Sequence, residues 1–302
     1  MQIKIIELSD GTSFEYRKFS GGSDIPIIMT GGAIGSHLIW SSMTGLLRRN
    51  HPVIVWNYPG LETGVRPAEF AKINTSDNIK LSYLADCLNA LFQHENISSA
   101  VLAGWSLGPL VNREFALLHP EKVKALISIN QLSKELLYFD SAHANIIKLQ
   151  KFLGFETSGS GARELIGTHK RQFENLKNQL KKSDHPGKWA KRFRLVSPDI
   201  DELMLDAIIK DFVNVSMDTY LGYVKIPNET RKGIDSKLKE IPTFFAAGDR
   251  DIFVNYKKLM SKKSKLPNRE YLLVKGGSHF SPLEYPQMLT IKIENFLSKF
   301  NK

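Results

Sequence analysis

The pentapeptide Gly104-Trp105-Ser106-Leu107-Gly108 constrains this chain more than any other stretch of it. Residues 100–103, Ala-Val-Leu-Ala, read as a short buried strand, and residues 107–119 read as a helix. The chain must therefore pass from strand to helix inside the pentapeptide. So tight a reversal forces its central residue into a strained backbone conformation. The flanking glycines remove the Cβ atoms that would collide with the neighbouring strand and helix. A strand feeding directly into a helix is the unit of an α/β fold with a parallel sheet. It also carries the Ser106 hydroxyl to the carboxyl end of that sheet and leaves the Leu107 N–H at a helix N-terminus.

The remaining pattern agrees with such a sheet. Residues 3–8 and 13–19 read as a hairpin turning at Asp10-Gly11, and residues 25–30 and 52–57 as buried strands. Residues 38–49 read as a helix. A second helix is expected over residues 81–94, where Leu81, Leu84, Leu88 and Leu91 fall at helical spacing and Asp77 or Ser76 could cap it. Residues 123–129 complete this run of strands. From 132 to 240 the chain shows no buried strand run, only helical periodicity over 144–152, 162–180 and 200–213. Strands then resume at 241–247 and 270–274, with helices over 255–265 and 286–300. The expectation is a doubly wound, mostly parallel sheet built from residues 1–131 and 241–302, with residues 132–240 inserted as an all-helical cap.

Composition narrows the function classes. A chain of 302 residues, 42% hydrophobic and 24% charged, is neither disordered nor fibrous, and it is long enough to bury a core without staples. Its single cysteine excludes an internal disulfide and a cysteine-rich zinc site. No apolar run approaches the roughly 18 residues of a membrane span. The first residues lack a basic segment followed by a long apolar one, so the expected location is the cytoplasm. The net charge of +10 suits anionic partners, although the abundance of Lys, Ile and Asn is also what AT-rich coding produces.

A serine used as a nucleophile needs a base, and the base needs an orienting carboxylate. Open α/β sheets place reactive groups beyond the carboxyl ends of their strands. The strand at 242–247 runs into Gly248-Asp249-Arg250-Asp251, which offers the acid. The strand at 271–274 runs into Lys275-Gly276-Gly277-Ser278-His279, which offers the base. Of eight histidines, His279 alone follows a core strand through a glycine loop.

With these residues the chain resembles the α/β-hydrolase family, in the order Ser106, Asp251, His279. The resemblance implies a Ser-His-Asp triad in which Asp251, fourth in Gly248-Asp249-Arg250-Asp251, is the acid and Asp249 the fallback. Counting back from Trp40 along Thr30-Gly31-Gly32-Ala33, it implies an oxyanion hole formed by the N–H groups of Leu107 and Ala33. The stretch departs from the family at Gly31, where a histidine is usual. A second departure is Asn57-Tyr58-Pro59-Gly60, where the family carries Asp-x-x-Gly. Gly32, Trp105 and Trp40 are candidate pocket residues. Serine at position 106 argues against haloalkane dehalogenases and epoxide hydrolases, which use aspartate. No metal site and no cofactor fingerprint is present, so no cofactor is expected.

The expected activity is hydrolysis of a carboxylic ester or thioester through an acyl-enzyme. Acyl transfer or C–C bond hydrolysis on the same triad is the alternative, and a non-enzymatic ligand receptor on this scaffold is a third reading. Within the family the elbow and the basic cap look somewhat like pimeloyl-acyl-carrier-protein methyl ester esterases. In the cap, Lys170, Arg171, Lys177, Lys181, Lys182, Lys188, Lys191, Arg192 and Arg194 face only Glu174 and Asp184. An acidic acyl carrier protein is a partner such a surface could meet, and a solvated helix face is the plainer reading. No nucleic-acid-binding module accompanies the charge. Cys87, in an apolar helix, is expected to be a buried structural thiol.

Overall fold

The computed structural model of the chain describes residues 1–33, 35, 37–61, 79–133, 136, 174–175, 177–192, 196–216, 219–220, 222–223, 226, 237–261 and 268–300. Eight strands make one sheet: β1 (Gln2–Glu7), β2 (Ser13–Phe19), β3 (Ile27–Thr30), β4 (Val53–Trp56), β5 (Ala100–Trp105), β6 (Val123–Ile129), β7 (Thr243–Gly248) and β8 (Arg269–Val274). Their order is β1-β2-β4-β3-β5-β6-β7-β8. The pairs from β4 to β8 are parallel, and β1-β2 and β2-β4 are antiparallel. The hairpin turns where expected: Gly11 has φ +80° and Asp10 Oδ1 accepts the Thr12 N–H at 2.8 Å. The strand order reverses between β3 and β5, whose ends pair Thr30 with Gly104. Such a switch point opens a crevice beyond the strand ends.

Helices cover both faces. One core cluster joins Ile28, Ile54, Leu102 and Leu126 to α2 (Leu81–His94) and α3 (Gly108–Leu118). On α2, Leu84, Leu88 and Leu91 are fully buried. Each such side chain contributes about 1.5–3 kcal/mol by leaving water. The opposite cluster joins Ile27, Met29, Val53, Val101 and Ile127 to α1 (Ser41–Leu47) and to the helix Pro286–Leu297. Strands β3, β4, β5 and β7 are thus buried on both sides, as their apolar runs require. The single helix expected over 38–49 is instead a 3-10 turn, His37–Trp40, followed by α1. The α2 N-cap is Lys80, and the expected caps Asp77 and Ser76 lie outside the described residues. Between β6 and β7 the described elements are helical, α4 (Pro186–Arg192) and α5 (Glu202–Asn214). The helices expected over 144–152 and most of 162–180 lie outside the described residues. Among the described residues no helix is long and apolar enough to cross a membrane.

One buried carboxylate fastens the hairpin to α2. Glu95, with a 2% exposed side chain, accepts from Lys4 Nζ at 2.7 Å, from the Tyr16 hydroxyl and from Lys18 Nζ. Burial pushes the Glu95 pKa up, but the bonds from Lys18, Lys4 and Tyr16 outweigh it and bring it to about 2, against an ordinary 4.5. The folded chain therefore binds this proton less readily than the unfolded chain. The associated stability is present above pH 4.5 and is lost as the pH falls toward 2. The urea midpoint of the parent should fall over that interval. Glu95→Gln should start lower at neutral pH and lose less on acidification.

Candidate active site

Ser106 follows β5 with φ +62°, in the left-handed region that a residue with a Cβ rarely adopts. That conformation costs about 1–3 kcal/mol and persists only where its surroundings over-determine it. Here they do. The Ser106 N–H donates to Ile129 O at 3.0 Å, and Ser106 O accepts the Leu132 N–H at 2.8 Å. A Cβ on Gly104 would stand 2.4 Å from Pro109 N, and one on Gly108 would stand 2.3 Å from Thr30 O. The turn closes this tightly because neither position carries a side chain. Leu107 precedes the first turn of α3, and its N–H and that of Ala33 have no hydrogen-bond acceptor among the described residues.

The loop after β8 brings His279 to the serine. His279 Nε2 lies 2.9 Å from Ser106 Oγ, and His279 Nδ1 lies 2.7 Å from Asp251 Oδ2. Asp251 Oδ1 accepts the N–H groups of Phe253 at 2.8 Å and Val254 at 3.0 Å. An ionised carboxylate only accepts, so the Nδ1 proton points to Asp251 and Nε2 is left to accept the serine proton. Ser106, Asp251 and His279 are 4%, 3% and 5% exposed. Phe253 meets the imidazole edge-on at 5.0 Å and Trp105 lies tilted at 5.2 Å, so two aromatic rings pack on the imidazole. Asp249, the fallback acid, turns elsewhere: its Oδ1 accepts the Gly276 N–H at 2.7 Å and ties the ends of β7 and β8 together.

The arrangement of strands has a counterpart among known proteins. The model of the alpha/beta hydrolase fold family matches residues 25–286. The chain belongs to the α/β-hydrolase fold family. It is 22% identical over 290 residues to a pimeloyl-[acyl-carrier protein] methyl ester esterase of Wigglesworthia glossinidia brevipalpis, covering 95% of this chain and 99% of that one. Among solved structures, an esterase from Rhodococcus sp. superposes with a TM-score of 0.67 at 18% identity, covering all of both chains. A haloalkane dehalogenase from Bradyrhizobium elkanii superposes at 0.66 with 15% identity, over 99% of this chain and 97% of that one. Likeness at that identity is a statement about the fold alone.

In this α/β hydrolase the two tryptophans expected near a pocket lie in the core cluster, Trp40 at 0% and Trp105 at 1% exposed. Trp105 Nε1 donates to the His279 carbonyl at 2.5 Å, which makes its indole a brace of the histidine loop. Gly32 packs against the elbow, where a Cβ would stand 2.8 Å from Ser106 Cβ. Cys87 is buried, and burial pushes its thiol up to about 12. Among the described residues no group of three or more His, Cys, Asp or Glu could hold a metal ion. Lys177 is not part of the exposed basic surface. It is 8% exposed and donates Nζ to Val215 O, the carbonyl just past the end of α5. Lys181, Lys182 and Lys188 are exposed, and Lys191 lies 3.4 Å from Glu202. Lys170, Arg171 and Arg194 lie outside the described residues.

Two polar residues that no motif announced also build the site. Asn130, fully buried at the end of β6 with φ +48°, donates Nδ2 to Ser278 O at 3.0 Å, His279 O at 2.9 Å and Ser281 Oγ at 3.1 Å. Its Oδ1 accepts the Gly248 N–H at 2.9 Å. Glu284 accepts the Ser278 N–H at 2.8 Å, and its other oxygen accepts both Ser278 Oγ and the Ser197 N–H at 2.6 Å. The segment between β6 and β7 is thereby fastened to the histidine loop. Phe280 and Leu283 add to this by packing on Ala190, Val196, Ile200 and Leu205. Asn130→Ala leaves several buried groups without one of their partners. It should destabilise the protein by roughly 2–4 kcal/mol in urea unfolding. Truncation of an exposed asparagine such as Asn214 should cost far less.

Proposed function

We propose that this chain is a serine hydrolase that cleaves a carboxylic ester or thioester through an acyl-enzyme intermediate. The observation that carries the reading is the hydrogen-bonded sequence Ser106–His279–Asp251 set on a strained strand-to-helix turn. His279 takes the Ser106 proton as Oγ attacks the acyl carbon, and the imidazolium then gives that proton to the departing alcohol or thiol. Asp251 holds the tautomer and offsets the imidazolium charge. The N–H groups of Leu107 and Ala33 receive the oxyanion, and a donor of this kind is worth about 2.7–4 kcal/mol in the transition state. Water, activated by the same histidine, releases the acid and restores the serine. Residues 132–240 act as the cap that frames access, consistent with the packing of its described helices on the histidine loop.

The name of the Wigglesworthia relative and the exposed Lys181, Lys182 and Lys188 together favour a carrier-bound acyl substrate. Such attraction is screened over about 8 Å at physiological ionic strength. Changing Lys181, Lys182 and Lys188 to Glu should raise KM for an acyl ester carried on an acidic carrier protein. It should leave kcat/KM for a small neutral ester unchanged, and added salt should mimic it on the carrier substrate only. An equal response of both substrates contradicts the docking role.

A panel of p-nitrophenyl esters and acyl thioesters of graded chain length tests the activity itself. Ser106→Ala should lose on the order of 10³-fold or more in turnover while folding as the parent does. A fluorophosphonate should label Ser106 in the parent and nothing in the variant. Asp251→Asn should cost up to about 10⁴ in kcat, because it favours the wrong histidine tautomer. Asp249→Asn should act mainly on stability. The reverse order of these two effects assigns the acid to Asp249.

A further inference from the structure

The loop after β3 runs Thr30-Gly31-Gly32-Ala33, and two successive glycines are the least constrained backbone a chain can offer. A loop meant to hold an N–H against a developing charge must not rotate its peptide planes. Something outside the loop therefore has to fix them.

The end of β4 supplies the fixing groups. Trp56 Nε1 donates to Thr30 Oγ1 at 3.0 Å, and Thr30 Oγ1 donates to Asn112 Oδ1 at 2.7 Å. Two residues beyond Trp56, the Tyr58 hydroxyl donates to Gly31 O at 2.8 Å. Tyr58 is 1% exposed, meets Trp56 edge-on at 5.2 Å, and stacks on Tyr223 at 5.2 Å with an interplanar angle of 24°. The Tyr223 hydroxyl in turn donates to Pro59 O at 2.6 Å. The ring of Tyr58 is clamped on two sides, and burial holds its pKa well above 10, so its oxygen keeps the proton it donates.

A trans peptide points its C=O and N–H in opposite directions. Holding Gly31 O toward Tyr58 therefore aims the Gly32 N–H away from it. The next peptide is held at Gly32 O, which accepts the Gly35 N–H at 3.1 Å, and this aims the Ala33 N–H. Gly32 itself packs against the elbow. We infer that Tyr58 is a positioning residue for the oxyanion loop: its hydroxyl pins the Gly31–Gly32 peptide and so limits rotation of the adjoining Gly32–Ala33 peptide, whose N–H receives charge. The inference rests on the proposed roles of Ser106 and Ala33. It also gives the segment between β6 and β7 a route to that loop, because Tyr223 backs the Tyr58 ring.

Tyr58→Phe removes one oxygen and keeps the ring, and one hydrogen bond is a small part of a domain's stability. The informative substrates are a p-nitrophenyl ester and its thiono counterpart, in which C=S replaces C=O. Sulfur is a weak acceptor and gains little from oxyanion donors. Rates are expressed per serine titrated by fluorophosphonate, which removes any unfolded fraction. Complete loss of an oxyanion donor costs about 10²–10³, so misaiming one should lower kcat by about 10-fold with KM little changed. The ester-to-thionoester ratio of kcat/KM should fall by a similar factor. Tyr16→Phe is the control: it deletes a buried hydroxyl that bonds Glu95 rather than the loop, and should leave the ratio as in the parent. An unchanged ratio in Tyr58→Phe, or an equal fall in Tyr16→Phe, overturns the inference. Turnover that survives Ser106→Ala would instead remove the catalytic reading on which it stands.

Discussion

The left-handed backbone at Ser106 is the constraint on which the rest of this structure depends. It is unfavourable by itself, and nothing local in a serine relieves it. The relief comes from close packing of backbone on backbone. Gly104 lies against the start of α3 and Gly108 against the end of β3, at distances no Cβ could share. The same packing decides where the chemistry can occur. Because β5 lies beside β3 at the switch point, the turn that lifts the hydroxyl also brings the 31–33 loop against it.

A serine presented in this way still needs a histidine held to within a fraction of an ångström. His279 comes from a loop distant in sequence, and a set of buried polar groups fixes its backbone. Trp105, one residue before the serine, and Asn130, at the end of β6, both donate to the His279 carbonyl. The Asn130 side-chain oxygen meanwhile accepts from Gly248, at the end of the strand that leads to Asp251. Ser106, His279 and Asp251 are thus tied through the ends of β5, β6 and β7 as well as through their own side chains. Glu284 extends the network to Ser197 in the segment between β6 and β7. Packing there and the posture of the imidazole share one carboxylate.

The features legible in the sequence are those written locally. The strand-turn-helix around Ser106, the leucine spacing of α2 and the glycine loop before His279 each occupy one short stretch whose pattern has few structural solutions. The sequence offered two acids on one loop. Only the geometry distinguishes Asp251, which faces the imidazole, from Asp249, which faces the Gly276 backbone. Asn130 and Glu284 were illegible because their partners lie far along the chain, and an isolated polar residue carries no periodicity. Trp105 reads as an apolar ring, yet its indole N–H meets the His279 carbonyl through a contact 174 residues away. Lys177 sits in a lysine-rich run that reads as a solvated face. A carbonyl left over at the end of α5 draws it inward instead.

On the proposed reading, the sheet's carboxyl edge aligns Ser106, His279 and the N–H groups of Leu107 and Ala33 on one reacting carbon. The most direct measurement is a crystal structure of the enzyme after reaction with a fluorophosphonate, since the tetrahedral adduct mimics the acylation intermediate. Phosphorus should be bonded to Ser106 Oγ, with the phosphoryl oxygen within about 3 Å of the Leu107 and Ala33 nitrogens. The His279 imidazole should still bridge Asp251 and the adduct. Phosphorus on another residue, or a phosphoryl oxygen turned away from both N–H groups, would contradict it.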